Sequence, residues 1–304
     1  MNLRVTHDLE RFLRPEEIAK ISRLELRARH VVEGFVSGLH RSPYFGQSTE
    51  FVQHREYVAG DDSRRIDWKV WSRSDRYYIK QYEEDTNVRV VLLVDGSESM
   101  EFGAGPLTKF DYGRTVAAAL ALLSLRQNDS VSAALFDTEI RSLIPGSSRH
   151  NHLQTILAGL SEERATGETD ITMVLRRAAE SMNHRSIVVL VSDLLCDRDA
   201  LFKGLQMLRQ RKHEVLIMHV MDDQELNFDY SGTLRFEGLE TAGQLTCDPA
   251  ALRAGYLQAM EQFLETVRRR CASSLIDYKL VRTSEHLDAA LSQFLNFRIG
   301  MTGK

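Results

Sequence analysis

Uninterrupted apolar runs recur along the chain from about residue 87 onward and alternate with amphipathic stretches. The clearest run, Val88–Val94, ends at Asp95 and a glycine. A run of this length that stops at a turn residue is typical of a strand buried on both faces of a parallel sheet. The alternation predicts an α/β fold with a doubly wound, mostly parallel sheet.

The same periodicity gives the bounds of the individual elements. The predicted strands are Val88–Asp95, Ser130–Phe136, Ile187–Asp193, Val215–Val220 and Leu275–Val281, with a weaker one near Ile140–Ile144. The predicted helices are Phe110–Leu125, Leu153–Gly159, Ile171–Met182, Ala200–Gln210, Pro249–Arg270 and Leu287–Phe297. The segment Asp222–Leu245 is polar and glycine-containing, and it is the least regular part.

Residues 1–86 differ in kind from residues 87–304, and we predict a small N-terminal subdomain ahead of the α/β domain. A helix is expected to start at Pro15 and to run to about Gly34. The stretch Asp61–Gln81 then mixes basic and aromatic residues, which can bind single-stranded nucleic acid. Its many Asp and Glu neighbours cancel the field that a polyanion needs, so we favour a docked structural segment with buried tryptophans.

Oxygen-bearing side chains follow two of the predicted strands and precede one helix. Asp95, Ser97 and Ser99 form a D-x-S-x-S loop, Thr169 lies on a loop before a helix, and Asp193 ends a later strand. Open α/β sheets gather ligands at the carboxyl ends of their strands, so these loops are expected to converge. Hydroxyl and carboxylate oxygens suit Mg²⁺ or Mn²⁺. The alternative is a serine-rich turn in which Asp95 accepts hydrogen bonds from nearby backbone amides.

This set of residues resembles the von Willebrand factor type A fold and its metal-ion-dependent adhesion site. The resemblance implies that one Mg²⁺ is held by Asp95, Ser97, Ser99, Thr169 and Asp193. Upstream, the chain resembles the signature of a bacterial family named domain of unknown function fifty-eight. The residues concerned are Glu50-Phe51, Arg55-Glu56-Tyr57, Gly60-Asp61-Asp62 and Arg65-Ile66-Asp67-Trp68-Lys69. This second resemblance covers about Leu13 to Arg298 and implies a MoxR-type AAA+ ATPase as a partner.

Composition and charge indicate which partners and which compartment to expect. The net charge of −4 and the pI near 6.2 give no general attraction to nucleic acid or to an anionic membrane. The first ten residues are too charged for a secretory signal, and the most apolar predicted helix is too short to span a bilayer. The three cysteines are unclustered, as expected of structural thiols in a reducing compartment. We expect a cytoplasmic protein of a bacterium.

The motifs of common enzyme classes are missing from the sequence. It contains no G-x-S-x-G, H-E-x-x-H, C-x-x-C or G-x-x-x-x-G-K-[ST] motif, so we do not expect ATP hydrolysis by this chain. His150 and His152 lack acidic or cysteine partners at ligand spacing and are expected to be solvated.

Two function classes remain open at the predicted metal loop. In a binding module, an acidic residue of a partner protein completes the metal shell. In a magnesium-dependent phosphoester hydrolase, a phosphate oxygen takes that position. Haloacid-dehalogenase-type phosphatases carry a second Asp where this chain has Ser97, so we favour the binding module.

Overall fold

The computed structural model describes residues 14–39, 54–56, 78–80, 88–137, 140–149, 151–161, 171–182, 184–230, 232, 234–237 and 244–302. The chain forms two compact units. One comprises Met1–Gly38 together with Val88–Lys304, and the other is Leu39–Asn87. The predicted boundary at residue 87 lies beside this division, whereas the N-terminal helices group with the larger unit.

In the smaller unit, strand β1 (His54–Glu56) pairs antiparallel with β2 (Tyr78–Lys80). The predicted burial of Trp68 and Trp71 falls outside the described residues and stays a prediction.

A six-stranded sheet forms the centre of the larger unit. Its strands are β3 (Arg89–Asp95), β4 (Ser130–Phe136), β5 (Ile140–Ser147), β6 (Ile187–Ser192), β7 (Glu214–Met221) and β10 (Asp277–Arg282). They lie in the order β10-β7-β6-β3-β4-β5, and each pairs parallel with its neighbour except β5, which runs antiparallel to β4. The predicted mixed α/β fold with a mostly parallel sheet is therefore confirmed.

The strand order reverses at β3, and this reversal determines where a site can form. The chain leaves β3 toward β4 on one side, whereas β6 lies on the other side and leads away to β7. The carboxyl ends of β3 and β6 therefore open a crevice between connections that run in opposite directions. The apolar runs of both strands are buried because helices cover both faces of the sheet, as their sequences predict.

The described part of the chain also forms helices. They are α1 (Pro15–Ala19), α2 (Leu24–Leu39), α3 (Lys109–Arg126), α4 (His152–Gly159), α5 (Ile171–Ser181), α6 (Arg198–Gln210), α7 (Asp223–Asn227), α8 (Pro249–Ser273) and α9 (Asp288–Thr302). Helices α3, α4 and α9 pack on one face. Residues of α5, α6 and the last turns of α8 share an apolar core with the other face.

The single N-terminal helix predicted from Pro15 to Gly34 is wrong, because the chain breaks after α1 and starts again at α2. The Arg27 side chain of α2 donates to the backbone carbonyl of Ile21, which lies between the two helices, at 2.5 Å. Ser22 lies in this break, and serine competes with helical hydrogen bonding. The apolar periodicity continues across the break, which is why the pattern alone did not reveal it.

The segment predicted to be irregular, Asp222–Leu245, holds short elements among its described residues. Helix α7 comes first, and β8 (Leu234–Glu237) pairs antiparallel with β9 (Gln244–Cys247). None of the helices among the described residues has both the length and the apolar character needed to cross a bilayer.

An ion pair fastens the last helix to the start of the central strand. Asp129 is buried just before β4, and its carboxylate accepts from the backbone N–H of Val88 at 3.2 Å. The Arg298 guanidinium of α9 donates to both oxygens of the same carboxylate, with Nη2 at 3.1 Å from Oδ1. The pair thus compensates a buried charge, which is costly to leave alone.

Candidate metal centre

The D-x-S-x-S loop turns back on itself at the carboxyl end of β3. The Ser97 backbone N–H donates to Asp95 Oδ1 at 3.0 Å, the bond expected of a serine-rich turn. The Ser97 and Ser99 hydroxyl oxygens lie 3.1 Å apart, and Ser99 belongs to a short 3₁₀ helix, Glu98–Glu101. The three side chains are buried and close together. The loop therefore forms the predicted turn and also groups its oxygens.

The end of β6 is held against this loop by Ser192. Its hydroxyl donates to Asp95 Oδ2 at 2.5 Å and accepts from the Leu194 backbone N–H at 2.9 Å. Leu194 has a φ of 56°, which is strained for a residue with a branched side chain. This turn lets Asp193 Oδ1 accept the Leu195 backbone N–H at 3.1 Å. The structure thus places Asp193 beside Asp95, as the strand ends predict.

A lysine contacts the second carboxylate from the start of α3. Lys109 Nζ lies 2.7 Å from Asp193 Oδ2 and 2.7 Å from Glu225 Oε1, and its side chain is 0 % exposed. Burial opposes the charged form of this lysine, but Asp193 and Glu225 outweigh burial and raise its pKa. The ammonium is therefore charged and shared between two carboxylates.

The loop before α3 brings Lys109 to this position. A Cβ on Gly103 would lie 2.6 Å from the Thr108 Cα, so only glycine allows this close approach. The Lys109 backbone N–H donates to the Phe102 carbonyl at 2.9 Å, and the Thr108 hydroxyl accepts from Asp111 N–H as the helix cap. The loop closes on itself and begins the helix at the lysine.

Helix α7 supplies the other carboxylate through a capping box. Glu225 Oε2 accepts from the Asp222 backbone N–H at 3.0 Å, while Asp222 Oδ1 accepts from Gln224 N–H at 2.9 Å. The Thr283 hydroxyl donates to Asp222 Oδ2 at 2.8 Å, which ties the loop after β10 to α7. The carboxylate of Glu225 is therefore positioned by the fold, and Lys109 links it to Asp193.

His219 supports Asp193 from the neighbouring strand β7. Burial lowers its pKa to about 4, so the imidazole is neutral at pH 7. Its Nε2 lies 2.8 Å from the Asp193 carbonyl, which can only accept, so Nε2–H donates. Nδ1 then accepts from the Tyr278 hydroxyl at 2.8 Å. This histidine orients the backbone that carries Asp193.

Among the described residues, no cation contacts the Asp95 carboxylate. Burial, and then the charge of Asp193, raise the pKa of Asp95 to about 7, although the hydrogen bonds from Ser192 and Ser97 act against this. The cation that the described residues bring to the site is Lys109, which already serves two other carboxylates. A further positive charge beside Asp95 would reverse this unfavourable balance.

The structure brings four of the five predicted ligands to one end of the sheet. Thr169 lies outside the described residues, and its role stays a prediction. No group of three or more His, Cys, Asp or Glu side chains within the described part of the chain could hold a metal ion. Any metal here therefore depends on the serine hydroxyls as ligands.

Sequence reasoning missed Ser192, Lys109, Glu225 and His219. A signal existed for His219, because it interrupts an apolar strand, whereas Lys109 stands in a helix with other charged residues and nothing in the sequence sets it apart. The prediction that His152 is solvated is wrong. The ring is buried, with Nε2 at 2.9 Å from the Val131 carbonyl, whereas His150 lies outside the described residues.

Comparison with solved structures finds proteins of similar secondary structure and distant sequence. The chain is similar to the conserved hypothetical protein BatB from Bacteroides thetaiotaomicron, with 14% identity and a TM-score of 0.46, over 69% of this chain and 98% of that one. It is similar to an aerotolerance-related membrane protein from Bacteroides fragilis, with 15% identity, a TM-score of 0.46 and the same coverage.

Comparison of sequences gives a closer relationship. Uncharacterized proteins of Mycobacterium tuberculosis and Mycobacterium bovis are 25% identical over 276 residues, which cover 88% of this chain and 86% of each relative. The sequence profile of one family matches residues 53–266, which is most of the chain. The chain therefore belongs to the family described as Protein of unknown function DUF58.

Proposed function

We propose that this protein is a metal-dependent protein-binding adaptor with a von Willebrand factor type A-like domain. In this proposal Mg²⁺ or Mn²⁺ lies at the carboxyl ends of β3 and β6. Ser97 and Ser99 are direct ligands, Asp95 and Asp193 bind directly or through water, and Thr169 completes the set. Bound there, the ion offers an open coordination position to an oxygen ligand from outside the chain.

The donor chemistry fits such an ion. Each serine hydroxyl has two lone pairs, and the Ser97 and Ser99 oxygens lie 3.1 Å apart, close enough to bind one ion together. The Asp95 carboxylate offers about four lone-pair sites and accepts from the Ser192 hydroxyl and from the backbone and side chain of Ser97, which leaves capacity for a metal ion. Hard oxygen donors of this type favour Mg²⁺ and Mn²⁺ over softer metals.

The observation that carries the proposal is a buried carboxyl group, Asp95, that lies beside these hydroxyls and contacts no cation among the described residues. Asp95 and Asp193 are both buried, and Lys109 contacts Asp193 and Glu225 rather than Asp95. Buried carboxylates are stable only when they are paired, neutralised or bound to metal. A divalent cation next to Asp95 satisfies this requirement. It also accounts for the nearby serine hydroxyls, which serve as its ligands.

The partner is a protein that offers an Asp or Glu side chain to the metal. The family resemblance suggests a MoxR-type AAA+ ATPase in the bacterial cytoplasm, with a role in assembly or maturation of other proteins. This chain contributes the metal loop, while Lys109 and His219 hold Asp193 in place for it. Recognition then depends on both the metal and the acidic group.

Calorimetric titration of Mn²⁺ tests the site. Wild type and the exposed-surface control Glu180→Gln are expected to bind Mn²⁺. The variants Asp95→Ala and Ser97→Ala/Ser99→Ala are expected not to bind it, because each lacks one or more of the proposed metal ligands. Circular dichroism checks that the variants are folded. Equal heats from wild type and the two folded site variants would reject the metal centre.

A pull-down from lysate of the source organism tests the adaptor role. Recovery of an ATPase by wild type with Mg²⁺, and its loss with EDTA or with Asp95→Ala, supports the proposal. If no protein is retained, and Mg²⁺-dependent cleavage of p-nitrophenyl phosphate disappears in Asp193→Ala, the protein is a phosphoester hydrolase instead.

A further inference from the structure

Basic side chains gather at the amino ends of the parallel strands, the edge of the sheet opposite the candidate metal centre. The strands start level there, since Val90 pairs with Ile187 and Ile187 pairs with Glu214. Strand β5 runs antiparallel and ends at the same edge, where Ser147 pairs with Val131. The exposed cationic residues of these loops, which we call the basic edge, are Arg89, Arg126, Arg149, Arg185, Arg211 and Lys212.

The fold itself uses part of this charge. Arg185 lies 2.8 Å from a carboxylate oxygen of Glu214, which is also paired with Arg209. Arg211 donates to the Ala179 carbonyl at 2.8 Å, in the last turns of α5, where a cation interacts favourably with the helix dipole. These three arginines therefore have structural roles that need no partner outside the chain.

The other cations of the basic edge have no such contacts. Within the part of the chain that the structure describes, no ion pair or hydrogen bond engages the side chains of Arg89, Arg126, Arg149 and Lys212. The buried carboxylate at this edge, Asp129, is paired with Arg298. Glu180 and Asp277 are exposed carboxylates near the edge, fewer than its exposed cations. The edge is therefore positive, although the whole chain has a net charge of −4.

A leucine protrudes beside the basic edge, in the turn between α8 and β10. Leu275 is 75% exposed, more than any other large apolar side chain of the described residues. Its φ of 53° lies in the left-handed region, where a helix end usually has Gly or Asn. Lys212 precedes β7, the strand that pairs with β10, so the two residues lie on neighbouring loops. Neither burial nor backbone preference accounts for a leucine here, which indicates an apolar contact outside the chain.

Cations next to an exposed leucine favour an anionic lipid surface over a nucleic acid. Lipid headgroups attract the cations, while an apolar side chain enters the boundary of the acyl chains. Neighbouring strands lie about 4.8 Å apart, so the loops from β5 to β7 span about 20 Å and can contact several headgroups at once. The described loops of this edge contain no Phe, Tyr or Trp on which nucleotide bases could stack.

We propose that the basic edge binds the anionic lipid surface of a membrane, with Leu275 inserted among the headgroups. The attachment is peripheral and requires no membrane-spanning helix. Because the candidate metal centre lies at the opposite ends of the same strands, it faces away from the lipid and stays accessible to a protein partner. The proposal does not depend on metal binding, since none of these residues is a proposed ligand.

Sedimentation with lipid vesicles tests the proposal, in low salt and with EDTA to exclude bridging by metal ions. Wild type is expected to sediment with vesicles of phosphatidylcholine and phosphatidylglycerol, and not with phosphatidylcholine alone. Arg126→Glu/Lys212→Glu should bind the anionic vesicles at least tenfold more weakly. Leu275→Asn should lower the affinity about tenfold without a change in charge, and asparagine tolerates the left-handed backbone.

A charge-matched control separates the basic edge from general electrostatic attraction. Arg198→Glu/Lys203→Glu makes the same change in net charge at exposed positions of α6 and should bind as wild type does. Anisotropy with a labelled single-stranded oligonucleotide tests the other polyanion. The proposal fails if wild type does not sediment with the anionic vesicles, or if the control loses as much affinity as the edge variant. It also fails if the edge binds the oligonucleotide and not the vesicles.

Discussion

A lysine at the first position of α3 shows how one residue can hold a site together. Lys109 is fully buried and contacts carboxylates from two other elements, Asp193 after β6 and Glu225 of α7. A buried ion pair is weak evidence for net stability, but removing one partner is costly, since the remaining charges lose their compensation. The residue therefore supports the position of Asp193 more than it adds to overall stability.

Lys109→Met is expected to lower the free energy of unfolding by roughly 3–5 kcal/mol, since it removes the cation shared by buried Asp193 and half-buried Glu225. Urea denaturation measures this loss, with the exposed Lys203→Met as its control. If the metal site is real, added Mn²⁺ should restore more stability to Lys109→Met than it gives to wild type. An equal effect of Mn²⁺ on the two proteins would count against a metal beside Asp193.

Residues at strand ends were predictable, and their long-range partners were not. The positions of Asp95 and Asp193 follow from apolar runs that stop at a carboxylate, because parallel strands align their ends. The contact between Lys109 and Glu225 joins residues 116 positions apart, and no local pattern encodes it. Ser192 was read only as part of a strand, although its hydroxyl joins the two halves of the site.

At the scale of elements, periodicity located five strands of the six-stranded sheet to within two residues, whereas the one predicted near Ile140–Ile144 is observed as Ile140–Ser147. The strand predicted at Val88–Asp95 is observed at Arg89–Asp95, and the one at Ile187–Asp193 ends at Ser192. A short apolar run closely bounded by turn residues favours a buried strand, because helices are usually longer. The prediction of a single first helix was wrong because the polar residues between α1 and α2 did not disturb the apolar spacing, so no turn signal marked the break.

Close packing between α5 and α6 depends on one glycine. A Cβ on Gly204 would lie 2.7 Å and 2.9 Å from two side-chain atoms of Leu175, too close without movement of a helix. Gly204→Ala should therefore destabilise the protein by about 1–3 kcal/mol despite the better helix propensity of alanine. In α8, a Cβ on Gly255 meets nothing within 4 Å.

Gly255→Ala provides the matched control for that substitution. It should stabilise the protein by about 0.5–1 kcal/mol, because alanine costs less conformational entropy in a helix. Thermal unfolding of the two variants measures both effects, and a change of the same sign in both would contradict the packing argument.

At the scale of the whole molecule, buried histidines make stability depend on pH. Burial, with a smaller effect of Arg211, lowers the pKa of His213, and neither ring nitrogen has a hydrogen-bond partner among the described residues. The unfolded chain therefore takes up its proton first, near the usual pKa of about 6.5. Stability from this residue is complete above that pH and is lost as the pH falls. Asp95 acts in the opposite direction, because its pKa is raised.

His213→Leu isolates the histidine from the other titrating groups. Between pH 7.5 and pH 5.5, wild type should lose more unfolding free energy than this variant, because leucine takes up no proton. The exposed His184→Leu serves as the control and should follow wild type. Urea denaturation at several pH values gives the comparison, and parallel curves for wild type and His213→Leu would refute the assignment.

The tie between Arg298 and Asp129 has a consequence for the rate of folding. The two residues are 169 positions apart, so their contact closes a long loop of chain. Loop closure costs conformational entropy before the contact contributes stability. Contacts this far apart along the chain therefore favour slow refolding of the sheet, with unpaired strand edges exposed meanwhile.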